Sequence, residues 1–522
     1  MHTMLRILSV AALALAASDA DAQKVIRSVP HADLATIEPM TIPAQINRIY
    51  SYMVYDTLFA LDSKLVAKPM MLESHQVSPD GLTYTFVLRG GLKFHDGTPV
   101  GARDVVASLE RWLDRTSAGA RMKTVTAGLQ AEGERTVVIK LKEPYGLVEY
   151  SLAGAASQTP AVLPEAQAKA EKAVNITTVN GSGPFKFVQS EWRTGHRVVF
   201  TRNPDYVPRA EAPDGLAGGR HVKVDRVEWH ILPDPGTTAN ALIAGEVDFW
   251  DTASLDMVPR LEANPNITVR RTVLMQNAGW IRPNFTIPPF NDARARKALL
   301  YLLDQQELMT AVAGDQKRWS TCHSFSVCGS PLGTEAGSEP YRKRDPERAK
   351  RLLAEAGYKG EPIVVLGTTT LPPINAMVQV AAQRLREIGV NVDLQIVDWG
   401  VQLQRMSKPL PIGQGGFHIL ATYSIGANHF HPLTNSAFDT SCRQTNFAGW
   451  PCDEKMEELR GRVLSAPNPA AVIAANEIYQ KALWDFVPYV PAGLFDVVNA
   501  YRKSLSGVLQ SNLIAFWNIE KN

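Results

Sequence analysis

Alternation of apolar and polar positions marks the first half of the chain. In Thr83–Arg89, Tyr84, Phe86 and Leu88 share one face, while Thr83, Thr85 and Val87 share the other. That two-residue period predicts a half-buried strand. Thr136–Leu141 repeats the pattern through Val137–Leu141. The run Gly183–Tyr206 (GPFKFVQSEWRTGHRVVFTRNPDY) predicts a hairpin whose β-rich arms turn at Thr194-Gly195. This half is read as β-rich with interspersed helices.

From about Asn291 the period lengthens. Ala295, Leu299, Leu302 and Leu303 fall on one helical stripe, as a core-facing helix requires. In DPERAKRLLAEAG, Asp345 supplies a cap, Pro346 fits the first turn and Gly357 ends the helix. The run from Ile374 to Trp399 reads helix, Gly389 stop, strand. Alternating helices and strands predict an α/β lobe. The segment from Val487 to Leu509 returns to extended, proline-punctuated chain.

Between two of these elements lies LRGGLKFHDGTPVGARDVVASLERW, Leu88–Trp112. His95-Asp96 suggests a catalytic dyad at first sight. Gly90-Gly91 and Asp96-Gly97 are turn signals, however, and a helix follows with Asp104 in its first turn and Val105, Leu109 and Trp112 on one face. Turn and helix chemistry account for these residues, and no nucleophile stands beside the pair. The stretch is read as scaffold.

Composition narrows the classes. The chain has 522 residues, enough for two or three lobes, with a formal charge of +2 and 45% hydrophobic residues. Without a basic run, nucleic acid is not an expected partner. The start, MHTMLRILSVAALALAASDADAQ, has Arg6, an apolar run from Ile7 to Ala17 and small Ala20 and Ala22. It reads as a signal peptide, 1–22, with an apolar run short of the roughly 20 residues that span a bilayer. No Cys follows the cleavage site, so no lipid anchor is expected. The four cysteines, Cys322, Cys328, Cys442 and Cys452, form no CxxC and no zinc-ligand spacing. In an oxidising compartment they are expected to pair as structural disulfides, locally or in a crossed arrangement. HExxH, GxxxxGK[ST] and GxSxG motifs do not occur, so catalytic residues, a metal and a cofactor are not expected.

Six blocks in order carry a resemblance. SPDGLTYTFVLRGGLKFHDGTPVGARDVVASLERW is similar to the signature of the family 5 extracellular solute-binding proteins, the peptide- and nickel-binding receptors that feed ABC importers. NGSGPFKF (Asn180–Phe187), RNPDY (Arg202–Tyr206), PDPGTTANALIAGEVDF (Pro233–Phe249), PPFNDARARKALLYLLD and DPERAKRLLAEAGY follow where that family has its further blocks. The resemblance implies an α/β, two-lobed periplasmic-binding-protein fold with a hinged cleft and a subdomain inserted in the first lobe. The first-lobe core is expected at 23–55, 201–286 and 489–522, the insert at 56–200 and the second lobe at 287–488. Chain crossings are expected near 276–290 and 486–496. The implied function is that of a monomeric periplasmic receptor, passing a short peptide or similar small polar solute to ABC permease subunits in the inner membrane. Closure over the ligand would depend on the ligand's differential affinity for the closed form.

The resemblance also locates site residues and one departure. Dipeptide-binding relatives carry Trp-x-Gly-Asp-x-x-Asp-Pro, whose first Asp pairs with the ligand's α-ammonium group. The matching run here is SIGANHFHP, Ser424–Pro432, which places Gly426 and Asn428 near the Gly and Asp, and His431 before Pro432. This run holds no acid. An ammonium there would lose a charge-assisted bond, and Asn428 would return about 1 kcal/mol through a neutral one. Asp398 or Asp439 could serve instead if the match slips. Trp280, Trp399 and Tyr423 are candidate cleft walls, and Thr41 stands where relatives present Thr or Ser to the ligand. Cys442 and Cys452 match a disulfide of dipeptide-binding relatives. His418, His429 and His431 raise a second reading, a receptor for a metal or haem complex. A third is a chaperone-like periplasmic binder of peptide segments. An exported enzyme has no constellation to support it.

Overall fold

Tyr84, Phe86 and Leu88 point inward from the strand Thr83–Leu88; across the ladder Tyr84 and Phe86 face the buried Ile139 and Val137 of Thr136–Leu141, and Leu88 faces Leu72. Leu72–Val77 and Thr126–Glu132 flank this pair in a four-stranded antiparallel sheet. The helix Ala102–Arg115 covers it with Val105, Leu109 and Trp112, and Asp104 accepts from the Gly101 amide at 2.8 Å to cap the first turn. The computed structural model describes residues 23–522 except 35, 43, 155–157, 171–173, 233, 443–447 and 512. The expected signal peptide, 1–22, lies outside the described residues.

A seven-stranded sheet forms the first lobe. Its order is Ile267–Arg270, Val498–Arg502, Phe249–Ala253, Val25–Val29, Arg226–His230, Arg197–Arg202, Phe185–Phe187. Val25–Val29 is its parallel centre, paired with Arg226–His230 on one side and Phe249–Ala253 on the other. The predicted hairpin is present, with Gly195 at φ 74° in its turn. Arg197–Arg202 pairs with Arg226–His230, and Phe185–Phe187 pairs with Arg197–Arg202, so the hairpin belongs to this sheet and not to the insert 56–200 expected from the resemblance.

The second lobe holds a six-stranded sheet in the order Trp319–Ser320, Val490–Phe495, Asn277–Pro283, Ile419–Ile425, Ile363–Thr368, Val392–Val397. Ala295, Leu299 and Leu302 are buried along the helix Ala293–Leu302. Asp345 accepts from Arg348 N at the start of Pro346–Glu355, and Gly357 follows its end at φ 92°. The first helix has the predicted stripe, and the second has the predicted cap and glycine end.

The chain passes between the sheets twice, through residues 271–276 and 496–497. The strands on the second-lobe side of these crossings, Asn277–Pro283 and Val490–Phe495, pair with each other in antiparallel register. We therefore draw the lobe limits at 270/277 and 495/498, and not at the expected 286 and 489, because backbone pairing puts both strands inside the second sheet. The four cysteines form two local disulfides, Cys322–Cys328 and Cys442–Cys452. Among the described residues, no helix is long and apolar enough to cross a membrane.

Side chains lock the crossings. Asp496 Oδ1 accepts from Arg271 Nη1 at 3.1 Å and Gln276 Nε2 at 2.9 Å. Asn499 accepts from the Thr272 amide at 3.0 Å and from its hydroxyl. Asp496→Ala is expected to cost about 1–3 kcal/mol, the range for charge-assisted hydrogen bonds. Urea unfolding of the two proteins at equal pH measures it.

Candidate functional site

The helix Gln45–Val54 is buried on every side, from Ile46 through Val54. Arg48 lies within it with only 1% of its surface exposed. Its guanidinium reaches across the boundary between the lobes: Nη1 donates to Asn428 Oδ1 at 3.1 Å, and Nη2 donates to the Gly154 carbonyl at 3.1 Å. Burial lowers the Arg48 pKa, opposed by the neighbouring Tyr52 and Tyr150.

Tyr150, on the short helix Val148–Leu152 of the first lobe, meets the same second-lobe segment. Its ring stacks on His431 at 4.9 Å and meets Phe430 edge-on at 6.3 Å. The hydroxyl is buried and has no hydrogen-bond partner among the described residues. Burial raises its pKa, and the Arg48 charge opposes that rise.

The facing segment is set by a close backbone approach. A Cβ on Gly426 would lie 2.3 Å from the Gln276 carbonyl oxygen, so the turn from the strand Ile419–Ile425 into Gly426–His429 needs glycine. Asn428 follows on the side that meets Arg48. A seam of one guanidinium, one amide, one phenol and aromatic rings thus joins the lobes, which also meet where Arg318 pairs with Glu262 and where Gly146 approaches the Ala466 carbonyl. Among the described residues this seam contains no nucleophile beside a base.

A family model for bacterial extracellular solute-binding proteins, family 5, matches residues 66–439. The chain belongs to that family. This family 5 protein is 36% identical over 520 residues to a Sinorhizobium fredii protein named a probable peptide ABC transporter periplasmic-binding protein, y4tO, covering 98% of this chain and 96% of the relative. It is 27% identical to the glutathione-binding protein GsiB of Escherichia coli K12, covering 95% and 94%. Among solved structures, AgaA of A. tumefaciens R10, determined with agropinic acid, superposes with a TM-score of 0.78 at 21% identity, covering 95% of this chain and 99% of that one.

The candidates named from the sequence of this family 5 protein separate into two groups. Gly426, Asn428 and His431 come together at the seam. The others lie elsewhere or are engaged. Trp280 is core: it is 2% exposed, and its ring packs against those of His429 and Tyr489, which also meet each other. Its position on a strand buried along its whole length explains this. Trp399 starts the helix Trp399–Met406 and is half-buried, with its amide donating to Thr370 Oγ1 at 3.3 Å. Tyr423 is half-buried, edge-on to Phe495. The Thr41 hydroxyl is committed inside the first lobe, donating to Asn175 Oδ1 at 2.9 Å and accepting from Arg115 Nη2 at 3.0 Å.

Of the alternative acids, Asp398 is exposed ahead of a helix, and Asp439 accepts from Ser441 N at 3.0 Å beside a disulfide cysteine. The histidines do not converge on a metal. His418 Nδ1 accepts from Val364 N inside the second sheet, His429 stacks on Trp280, and His431 Nδ1 accepts from Leu433 N. Among the described residues, no group of three or more His, Cys, Asp or Glu side chains could hold a metal ion. His95 and Asp96 tie the turn to the Asn180–Gly183 segment: His95 Nε2 lies 3.1 Å from the Gly183 carbonyl, and Asp96 accepts from Asn180 Nδ2 at 2.8 Å.

Arg48 and Tyr150 were missed. In Gln45–Val54 the apolar stripe is Ile46, Ile49, Tyr50, Met53 and Val54, and Arg48 falls off it, where periodicity predicts solvent.

Two measurements follow from this geometry. Gly426→Ala should cost about 1–3 kcal/mol in a chemical melt, because the added carbon must displace backbone. Burial holds His429 and His431 down to pKa values of about 3, with Arg282 and Arg460 respectively adding to the shift. The unfolded chain titrates near 6.5, so protons favour unfolding below that pH. The stability from keeping both rings neutral is complete above about pH 6.5 and falls as pH drops toward the folded values. Between pH 7 and pH 5 the loss should be on the order of 1–2 kcal/mol per ring. Urea melts of the wild type and His431→Phe, which keeps a ring against Tyr150, should show a shallower loss in the variant.

Proposed function

We propose that this protein is the periplasmic receptor of an ABC importer. It is exported by the signal peptide 1–22, binds a short peptide or similar small polar solute between its lobes, and delivers it as a monomer to permease subunits in the inner membrane. The observation that carries this reading is the seam itself: two lobes joined by two short crossings meet through buried polar groups from both sides. Lobes linked this way can part and close about residues 271–276 and 496–497. A ligand favours closure by the amount it binds the closed form more tightly than the open one. The names of relatives covering nearly the whole chain, a peptide-transporter binding protein and a glutathione-binding protein, support a peptide-like solute. A metal or haem complex is less well supported, because His418, His429 and His431 each serve packing or backbone contacts. A chaperone-like role would use the same binding event without transport.

The mature protein should be purified natively, denatured, and its released solutes identified by mass spectrometry. A single small polar solute near one equivalent, taken up by cells with the gene and not by cells without it, is the expected result. Uptake that is independent of the gene would favour the chaperone-like role. Release of nothing, with no thermal stabilisation by any cell extract, would overturn the reading.

A further inference from the structure

We propose that the second lobe carries a solute site of its own, a pocket holding Arg296 and Asp453 that takes a small zwitterion of the α-amino-acid type, its carboxylate on Arg296 and its ammonium on Asp453. This site is separate from the space between the lobes and does not depend on the receptor reading.

The pocket lies away from the seam. A cavity of about 520 Å³, within the range of small-ligand sites, opens where the loop after Asn277–Pro283 meets the helices Ala293–Leu302, Glu454–Leu464 and Pro469–Phe486. Phe285, Met456, Ala482 and Phe486 give it an apolar wall. Asn277 pairs with Ile425, next to Gly426 of the seam, whereas Pro283 pairs with Ile419 at the other end of the sheet. At the usual rise of a strand these ends are roughly 20 Å apart.

Arg296 is the buried cation of this pocket, and it has one nitrogen to spare. The residue is 5% exposed. Its Nε donates to the Phe486 carbonyl at 3.0 Å, and Nη1 donates to the Phe290 and Asn291 carbonyls at 3.0 and 3.1 Å. The guanidinium lies over the Phe285 ring at 4.0 Å and the Phe486 ring at 5.3 Å. Nη2 donates to no described residue. Arg111 and Arg220, by contrast, are neutralised by Glu38 and Asp56. Burial holds the Arg296 pKa down to about 10, opposed by Asp292 and Asp453. Among the described residues neither acid pairs with it, and Asp292 meets Arg294 at 2.6 Å instead. A carboxylate reaching Nη2 would make a charge-assisted bond in a place already largely stripped of water.

Asp453 brings the opposite sign to the same wall. Its Oδ1 accepts from Met456 N at 2.8 Å, and Oδ2 accepts from no described residue. That carboxylate repels a phosphate or a dicarboxylate and favours a ligand that also carries an ammonium. The other charged groups of the wall leave this balance in place. Asp485 accepts from Lys297 Nζ at 2.6 Å, and Lys455 is exposed. One spare donor on a buried cation and one spare acceptor on an acid, beside apolar surface, match the two ends of an amino acid.

Three probes separate the charges: L-alanine with both, propionate with only the carboxylate, and ethylamine with only the ammonium. Each is titrated calorimetrically into the natively purified mature protein. L-Alanine should bind roughly tenfold or more tightly than either, because each of the others lacks one charge-assisted bond. Asp453→Asn should bring L-alanine down to the level of propionate, and Arg296→Gln should bring it to that of ethylamine. Ala482→Trp fills the pocket and leaves its charges, so it should abolish binding of all three. Asn also caps helices well, so Asp453→Asn decides the matter if the other two variants do not fold.

No binding of L-alanine by the wild type overturns the inference. So does L-alanine binding no tighter than propionate or ethylamine, or L-alanine binding unchanged in Asp453→Asn or Ala482→Trp. None of these outcomes touches the receptor reading, which the solute released on denaturation decides separately.

Discussion

The architecture depends on the antiparallel pairing of two strands, Asn277–Pro283 and Val490–Phe495. They carry the chain out of the first lobe and back again, yet they sit side by side in the second sheet, flanked by Ile419–Ile425 and Trp319–Ser320. Both are buried along their whole lengths, so neither can slip without exposing apolar surface. Between the sheets, Asp496 binds Arg271 and Gln276, and Asn499 binds Thr272. The strand Ile419–Ile425, paired directly to this frame, ends at Gly426 and presents Asn428. A rigid second-lobe anchor is the consequence.

The first lobe is stiffened differently, by buried ion pairs that are satisfied internally. Arg111 meets Glu38 at 2.8 Å with both side chains fully buried, and Glu38 also accepts from Ile176 N at 3.0 Å. Arg220 meets Asp56 at 3.0 Å and lies over the Trp517 ring at 4.9 Å. Removing one partner from such a pair strands a buried charge, which costs about 3–5 kcal/mol. These pairs tie the loop before Gln45 and the loop after Val54 to distant parts of the chain. The helix that carries Arg48 is therefore clamped at both ends.

Much of the fold was legible in the sequence because its elements have one wet face. Tyr84, Phe86 and Leu88 alternate with half-exposed partners, and Ala295, Leu299 and Leu302 form a stripe, so period alone identified a strand and a helix. The lobe limits were not legible. Strands buried on both faces show no alternation, and nothing local distinguishes the sheet that Trp280 joins from the one it leaves. The site was half legible. A motif match found Gly426, Asn428 and His431, because loop chemistry is written in adjacent residues. Arg48 was hidden because its partners Gly154 and Asn428 lie far away in sequence, Asn428 by 380 positions, where its own helix gives no sign of them.

That bond to the second lobe sets Arg48 apart from the other buried arginines. Arg282 is also buried, its pKa held down to about 9 mainly by burial, but its bonds run to the Ala448, Ala437 and Pro488 carbonyls within one lobe. For Arg48, one bond goes to Gly154 in its own lobe and another to Asn428 across the seam. The bonds of Arg48 thus come from both lobes, whereas those of Arg282 stay within one.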